Sequence, residues 1–301
     1  MTIRSVAIVG LGLLGGSIGL AIHDRANDII TTGFDIDPEV RAVARERRLV
    51  GTVCDTIEEA VCAVDLVVLC VPVGRMANVA RSMVDALPDH TIVSDVGSSK
   101  QSVLEALSDA LPGQTVIPAH PVAGTEQSGP EAGFSSLFTN RWCILTPPAN
   151  ADKQAIEALT EFWTKLGARI EIMDPAHHDL VLAVTSHIPH LIAFTIVGTA
   201  SDLEDVTRSE VIKYSAGGFR DFTRIAASDP VMWRDVFLNN KTAVLEMLGR
   251  FTEDLTALQR AIRSGDGEQL HELFSRTQTI RRSIIEQGQD DDRPDFGRED
   301  H

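Results

Sequence analysis

An imidazole set among small and apolar residues opens the chemistry of this chain. His120 lies in Pro118-Ala119-His120-Pro121-Val122-Ala123-Gly124-Thr125-Glu126-Gln127-Ser128-Gly129. A histidine near neutral pH can take or give a proton, so His120 is a candidate acid or base. Far upstream, Gly10-Leu11-Gly12-Leu13-Leu14-Gly15 spells the glycine fingerprint of a dinucleotide site. Its first glycine permits a tight turn, its second a close approach of pyrophosphate, its third helix–strand packing. The free N–H groups of the helix that Leu13 and Leu14 open would face the phosphates. A proton-transfer group beside a redox cofactor points to dehydrogenation of an alcohol.

Asp35 follows the last glycine by about 20 residues, where a carboxylate can hold the adenosine ribose hydroxyls. A 2′-phosphate would be repelled there, and the next arginine is Arg41, so the expected cofactor is NAD rather than NADP. The alternative for Asp35 is a solvated loop acid. Ser186-His187-Ile188-Pro189-His190 places two histidines three apart on one helix face, a polar patch in an apolar stretch. Otherwise these are hydrogen-bonded core or interface residues. Gly217-Gly218-Phe219-Arg220-Asp221-Phe222-Thr223-Arg224 offers two guanidiniums able to grip a carboxylate, unless Asp221, Asp229 or Asp235 pairs with them. Cys54, Cys62, Cys70 and Cys143 show neither C-x-x-C spacing nor a zinc pattern, and read as buried reduced thiols. No metal site is expected.

These residues need elements to position them. Ser5–Gly10, Ile29–Asp37, Val64–Val71, Thr91–Asp95, Thr115–Ala119 and Trp142–Thr146 read as strands. Helical stretches at Ser17–His23, Arg75–Leu87 and Ser102–Leu111 alternate with them. That alternation predicts an α/β fold: a doubly wound, mainly parallel sheet of the Rossmann type. Val71-Pro72, Ser98-Ser99-Lys100 and His120 then fall at C-terminal strand ends, lining one crevice. After a short strand candidate at Arg169–Met173 the chain turns helical. Asp174–Ala200 reads as one long apolar helix bent at Pro189, followed by helices over Val206–Ser215, Pro230–Arg263 and Gly267–Gln287. The expected domains are 1–173 for the dinucleotide, 174–287 for a helical substrate and dimerisation domain, and 288–301 for a disordered acidic tail.

The 301 residues suffice for two cores, and 44% hydrophobic with 23% charged residues is ordinary for a globular protein. A net charge of −16 disfavours nucleic acid and anionic membranes as partners. Met1-Thr2-Ile3-Arg4 and the following apolar run faintly resemble a signal peptide, but the glycines mark a core strand and turn. No stretch looks long and uninterrupted enough to span a membrane, so the expected location is cytoplasmic.

Taken together, His120-Pro121-x-Ala123-Gly124-Thr125-Glu126, Ser186-His187-x-Pro189-His190 and Gly218-Phe219-Arg220-Asp221-Phe222-Thr223-Arg224 resemble the prephenate/arogenate dehydrogenases of tyrosine biosynthesis, over residues 1–287. The resemblance implies a Rossmann domain followed by an all-helical dimerisation domain, and a homodimer. It implies that His120 is the catalytic histidine and that Ser98 hydrogen-bonds both it and the substrate hydroxyl. Thr125, Glu126, Ser186, His187, His190 and Gly217 would sit on the substrate side, Arg224 would hold a carboxylate, and Trp233 would lie at the site or the dimer contact. No fused chorismate mutase segment and no ACT domain are expected.

Two rivals share the architecture. A 3-hydroxyacid dehydrogenase of the 6-phosphogluconate-dehydrogenase type would carry Lys and Asn on its long helix, and residues 178–200 contain neither. A non-catalytic NAD-sensing dimer would leave the polar motifs without a purpose.

Overall fold

The computed structural model describes residues 2–125, 127–202 and 217–286. By compactness the chain divides into Met1–Leu245 and Glu246–His301.

Each strand of the six-stranded sheet carries β-branched residues. β1 (Ser5–Val9) leads through the glycine loop into α1 (Leu13–Arg25) and β2 (Ile30–Phe34). There follow α2 (Pro38–Glu46), β3 (Thr52–Val53), α3 (Ile57–Val61) and β4 (Leu66–Leu69). Then come α4 (Met76–Met83), β5 (Ile92–Asp95), α5 (Gln101–Ala110) and β6 (Thr115–Val116). The six strands are parallel in the order β3-β2-β1-β4-β5-β6. Side chains alternate across the pleat: Val6 and Ile8 join one core with Ile18 and Trp163, while Ala7 and Val9 join another with Met76 and Leu107. The order reverses between β1 and β4, which opens a crevice at their C-terminal ends.

The run from Thr115 to His120 is not one strand of this sheet. β6 ends at Val116, and β7 (Ala119–Pro121) enters a second sheet with β8 (Trp142–Leu145) and β9 (Arg169–Ile172). There β7 is antiparallel to β8, pairing His120 with Ile144. α6 (Lys153–Lys165) separates β8 from β9. The apolar content of 115–121 says that the chain is buried; it does not say which ladder it joins.

α7 runs from Pro175 to Ser201. Asp174 caps it, accepting the N–H groups of Ala176 and His177. Residues Ala183–His187 widen into a π-turn, with Ile188 N–H bonded to the Ala183 carbonyl. The wide turn directly precedes Pro189, whose ring would crowd the carbonyl of a regular helix. Contrary to the expectation from sequence, α7 is long and apolar enough, by length and composition, to cross a membrane, and 28% of its most apolar stretch is buried. The core helix of a soluble protein passes the same test. Its buried His178, Asp179 and His187 are engaged by other elements of the same unit.

α8 (Gly217–Thr223) and α9 (Pro230–Asn239) complete this unit with the start of α10 (Lys241–Ser264). Pro230–Arg263 is therefore two helices, broken at Asn240 (φ −107°, ψ 35°). The second unit holds the rest of α10 and α11 (Gly267–Glu286), with Gly265 at φ +70° ending α10. The helix predicted at Val206–Ser215 and the acidic tail lie outside the described residues. Of the cysteines expected to be buried, Cys54 and Cys143 are, Cys70 is half-buried and Cys62 is exposed.

Candidate active site

The glycine loop has the shape its spacing predicts. Gly10 sits at φ +97°, and a Cβ there would stand 2.5 Å from the Cys70 carbonyl oxygen. Gly12 caps α1 without a side-chain bond, and open space lies where its side chain would be. A Cβ on Gly15 would stand 1.9 Å from the Gly10 carbonyl oxygen, so α1 touches the loop only because Gly15 is bare. No acidic residue occupies the first turn, which Leu13 and Leu14 open, so its N–H groups face outward unopposed. Asp35 closes the far side: its carboxylate accepts Leu11 N–H at 2.8 Å and Asp37 N–H at 3.0 Å. The Arg41 guanidinium donates to the Asp35 and Ile36 carbonyls at 2.7 and 3.2 Å, so it closes the same corner. Val71 and Pro72 follow β4 across the crevice. These residues fit a dinucleotide cofactor.

His120 is buried (8% exposed) and is fixed from below by a fully buried ion pair. Lys100 Nζ contacts Asp95 Oδ2 at 2.5 Å and donates to the Ala119 carbonyl at 2.8 Å. Asp95 also accepts the Ala119 N–H at 3.3 Å and the Gly97 N–H at 2.7 Å. Two side chains thus satisfy the edge that β7 would otherwise present to β5. Burial works against charge on both partners, raising Asp95 and lowering Lys100, and each offsets that for the other.

His120 Nδ1 lies 2.9 Å from His178 Nε2, and His178 Nδ1 lies 2.9 Å from Asp179 Oδ1. Asp179 accepts the main-chain N–H groups of Lys100 and Gln101 at the start of α5, at 2.7 and 3.0 Å. Ser98 is half-buried beside this network, and the nitrogen Nδ1 of His120 goes to His178 rather than to it. Asn240 donates to the Asp179 carbonyl at 2.8 Å and contacts His187 Nδ1 at 3.0 Å. The break at Asn240 thus serves two buried acceptors. Trp233 Nε1 is buried without a hydrogen-bond partner among the described residues, and His187 also faces the main chain of Ser98. His190 stacks on Trp233 with ring centres 3.7 Å apart, and its Nδ1 meets the Ser186 carbonyl at 2.8 Å.

The structure therefore brings together His120, Ser98, His187, His190 and Trp233, with Arg224 near enough to His190 to act on its proton affinity. Thr125 is exposed in the loop after β7, and Gly217 begins α8. Glu126 lies outside the described residues. The sequence places Lys100 only among the residues lining the crevice, not in an ion pair, and it does not single out His178, Asp179 or Asn240; a His-Asp pair in apolar surroundings is the available signal.

Burial is the first cause lowering all four histidines below the usual 6.5: His120 well below, His187 to about 4, and His178 and His190 in the same direction. Positive neighbours add to it, Lys100 at His120 and Arg224 at His190. All are neutral at pH 7. Below about pH 6.5 the unfolded chain binds these protons and the folded chain does not, so stability must fall as pH falls. For His187 the loss spans pH 6.5 to about 4 and reaches roughly 3 kcal/mol. Urea unfolding should show a midpoint that drops between pH 7 and 4.5; an unchanged or rising midpoint would contradict this.

Comparison with known proteins supplies the family. Residues 18–172 match the family model "Prephenate dehydrogenase, nucleotide-binding domain", and residues 174–276 match "Prephenate dehydrogenase, dimerization domain". The chain belongs to the prephenate dehydrogenase family. It is an oxidoreductase with the family's Rossmann and helical parts. It is 44% identical over 281 residues to the cyclohexadienyl dehydrogenase of Zymomonas mobilis, covering 93% of this chain and 96% of that one. Bacillus subtilis prephenate dehydrogenase is 33% identical over 279 residues, 92% of this chain and 75% of the relative. Among solved structures of this family, Aquifex aeolicus prephenate dehydrogenase in complex with hydroxyphenyl propionate and NAD+ superposes with TM-score 0.88 at 33% identity, covering 94% of this chain and 99% of that one. Synechocystis arogenate dehydrogenase gives TM-score 0.79 at 26% identity, with 93% and 99% covered.

Proposed function

We propose that this enzyme oxidatively decarboxylates prephenate and L-arogenate with NAD, giving 4-hydroxyphenylpyruvate and L-tyrosine. The observation that carries the reading is His120, a buried imidazole held neutral by its surroundings in a chain that also carries the glycine cradle. The cradle, Asp35 and the open face of Gly12 suit NAD, which supplies the hydride acceptor for ring C4 when bound. His120 takes the C4 hydroxyl proton as that carbon is oxidised. The C1–carboxylate bond then breaks, its electron pair enters the ring, and carbon dioxide leaves. The proton returns to the phenolate oxygen, so none is gained or lost overall. Aromatisation drives the carbon–carbon cleavage, and the protein is asked mainly for positioning and one base.

Ser98, Thr125, Glu126, Ser186, His187, His190, Gly217 and Trp233 would surround the substrate, and Arg224 would hold its carboxylate. Arg224→Gln is expected to raise KM for prephenate about 10–100-fold with a smaller change in kcat. Steady-state kinetics check this; an unchanged KM would remove Arg224 from the site. Both substrates are proposed because the Zymomonas relative is named a cyclohexadienyl dehydrogenase. The domains are assigned to 1–173 and 174–287, and the name of the second family model supports a homodimer through the latter. A monomer mass by light scattering would contradict the dimer. The reaction itself is tested by stoichiometry: NADH, carbon dioxide and 4-hydroxyphenylpyruvate should form in equal amounts from prephenate. NADH without carbon dioxide would favour a simple hydroxyacid dehydrogenase.

A further inference from the structure

The contacts around His120 decide which of its nitrogens is basic. Asp179 already accepts two main-chain N–H groups at the start of α5, so toward His178 it acts as an acceptor. The nitrogen facing it, His178 Nδ1 at 2.9 Å, must carry a proton. Burial keeps His178 neutral, which leaves its Nε2 as a bare lone pair. His120 Nδ1 lies 2.9 Å from that lone pair, with the two rings edge-on at 69°. Only a proton on His120 Nδ1 makes this contact a hydrogen bond. The neutral His120 then has its lone pair on Nε2.

We propose that His178 and Asp179 are positioning residues for the reaction, setting His120 in the Nδ1–H form and offsetting the charge it gains when Nε2 accepts the substrate proton. The inference rests on the role given to His120 above. In the step, the substrate O–H bond breaks and the Nε2–H bond forms. Nδ1–H stays on His120 and tightens its bond to His178. This support is needed because the groups facing His120 oppose a positive charge: His178 itself, Lys100 and His187 all lower its proton affinity, after burial. The negative charge that compensates is Asp179, reached through His178. The arrangement has the logic of a triad in which a buried carboxylate orients an imidazole, here with a second imidazole between them. Asp179 is itself held by α5 and, through its carbonyl, by Asn240, so the pair is anchored on rigid elements.

The tautomer can be read directly by nitrogen-15 NMR of the unaltered protein labelled at histidine, with the His120 signals assigned by their loss in His120→Asn. A protonated Nδ1 and a bare Nε2 are expected; a protonated Nε2 would overturn the proposal. This measurement uses no substrate, so absence of turnover in the unaltered enzyme would fail the functional reading separately. A pair of variants tests the consequence. In His178→Gln the amide carbonyl can replace Nε2 as acceptor, whereas His178→Leu offers nothing. With NAD affinity unchanged in both, kcat should fall about 10²–10³-fold in the leucine variant and within about 10-fold in the glutamine variant. Equal losses would mean that His178 serves packing alone. Should the leucine variant fail to fold, the tautomer measurement decides.

Discussion

His120→Asn lowers kcat on prephenate by roughly 10³–10⁴-fold and leaves NAD affinity unchanged. Asparagine is close to histidine in size at the first two side-chain bonds, so β7 and its pairing with β8 should survive. The cradle for NAD is built from Gly10, Gly12, Gly15 and Asp35, none of which touches His120. What is lost is the acceptor for the hydroxyl proton. The same residue sets the pH response. Burial holds His120 well below 6.5, so the unaltered enzyme keeps its base unprotonated through mildly acidic pH. The kcat profile should stay flat through pH 6.5 and decline only below it. A decline beginning near pH 7, or an asparagine variant within tenfold of the parent, would contradict the assignment.

Lys100→Met costs the fold about 3–5 kcal/mol, because it strands Asp95 as an uncompensated buried acid. For a chain of this size that corresponds to roughly 5–15 °C in Tm. The loss should be partly recovered in the Lys100→Met/Asp95→Asn double variant, since a neutral pair leaves no charge stranded. The double variant should nevertheless turn over slowly. Nothing would then grip the Ala119 carbonyl, and His120 is the next residue along β7. Calorimetry separates the terms: a single variant as stable as the parent would show that the pair contributes nothing, and a double variant with full activity would show that the clamp does not position His120.

What the sequence made legible, and what it hid, follows from how local each feature is. The glycine loop and β1 were readable because turn, helix start and packing glycine fall within six consecutive residues. His120 was readable as chemistry, since an imidazole followed by a polar turn is unusual in an apolar run. Its strand was misplaced because 115–121 is apolar throughout, and a buried strand carries no period to say which sheet it joins. Lys100 was legible only as part of the crevice lining after a strand, not as half of a buried ion pair. It is buried only because Asp95 and the Ala119 carbonyl meet it, a contact made by tertiary structure alone. His178 and Asp179 were passed over for the same reason: their partners lie 58 and 79 residues away. The break at Asn240 interrupts a continuous helical pattern and is stabilised by sideways bonds to Asp179 and His187. The apolar run of α7 was judged too interrupted to span a membrane, yet its polar residues are few enough that composition alone would allow it. Three of them, His178, Asp179 and His187, are buried and are met by His120, α5 and Asn240.

The central claim is a dehydrogenase of cyclohexadienol substrates that works with NAD. Initial rates of the purified protein on prephenate and on L-arogenate, each with NAD and with NADP, test it most directly. The account predicts turnover of both substrates with NAD and a much lower kcat/KM with NADP, because a carboxylate at Asp35 is expected to repel a 2′-phosphate. A preference for NADP would contradict the role given to Asp35, and no turnover with any pair would contradict the account as a whole.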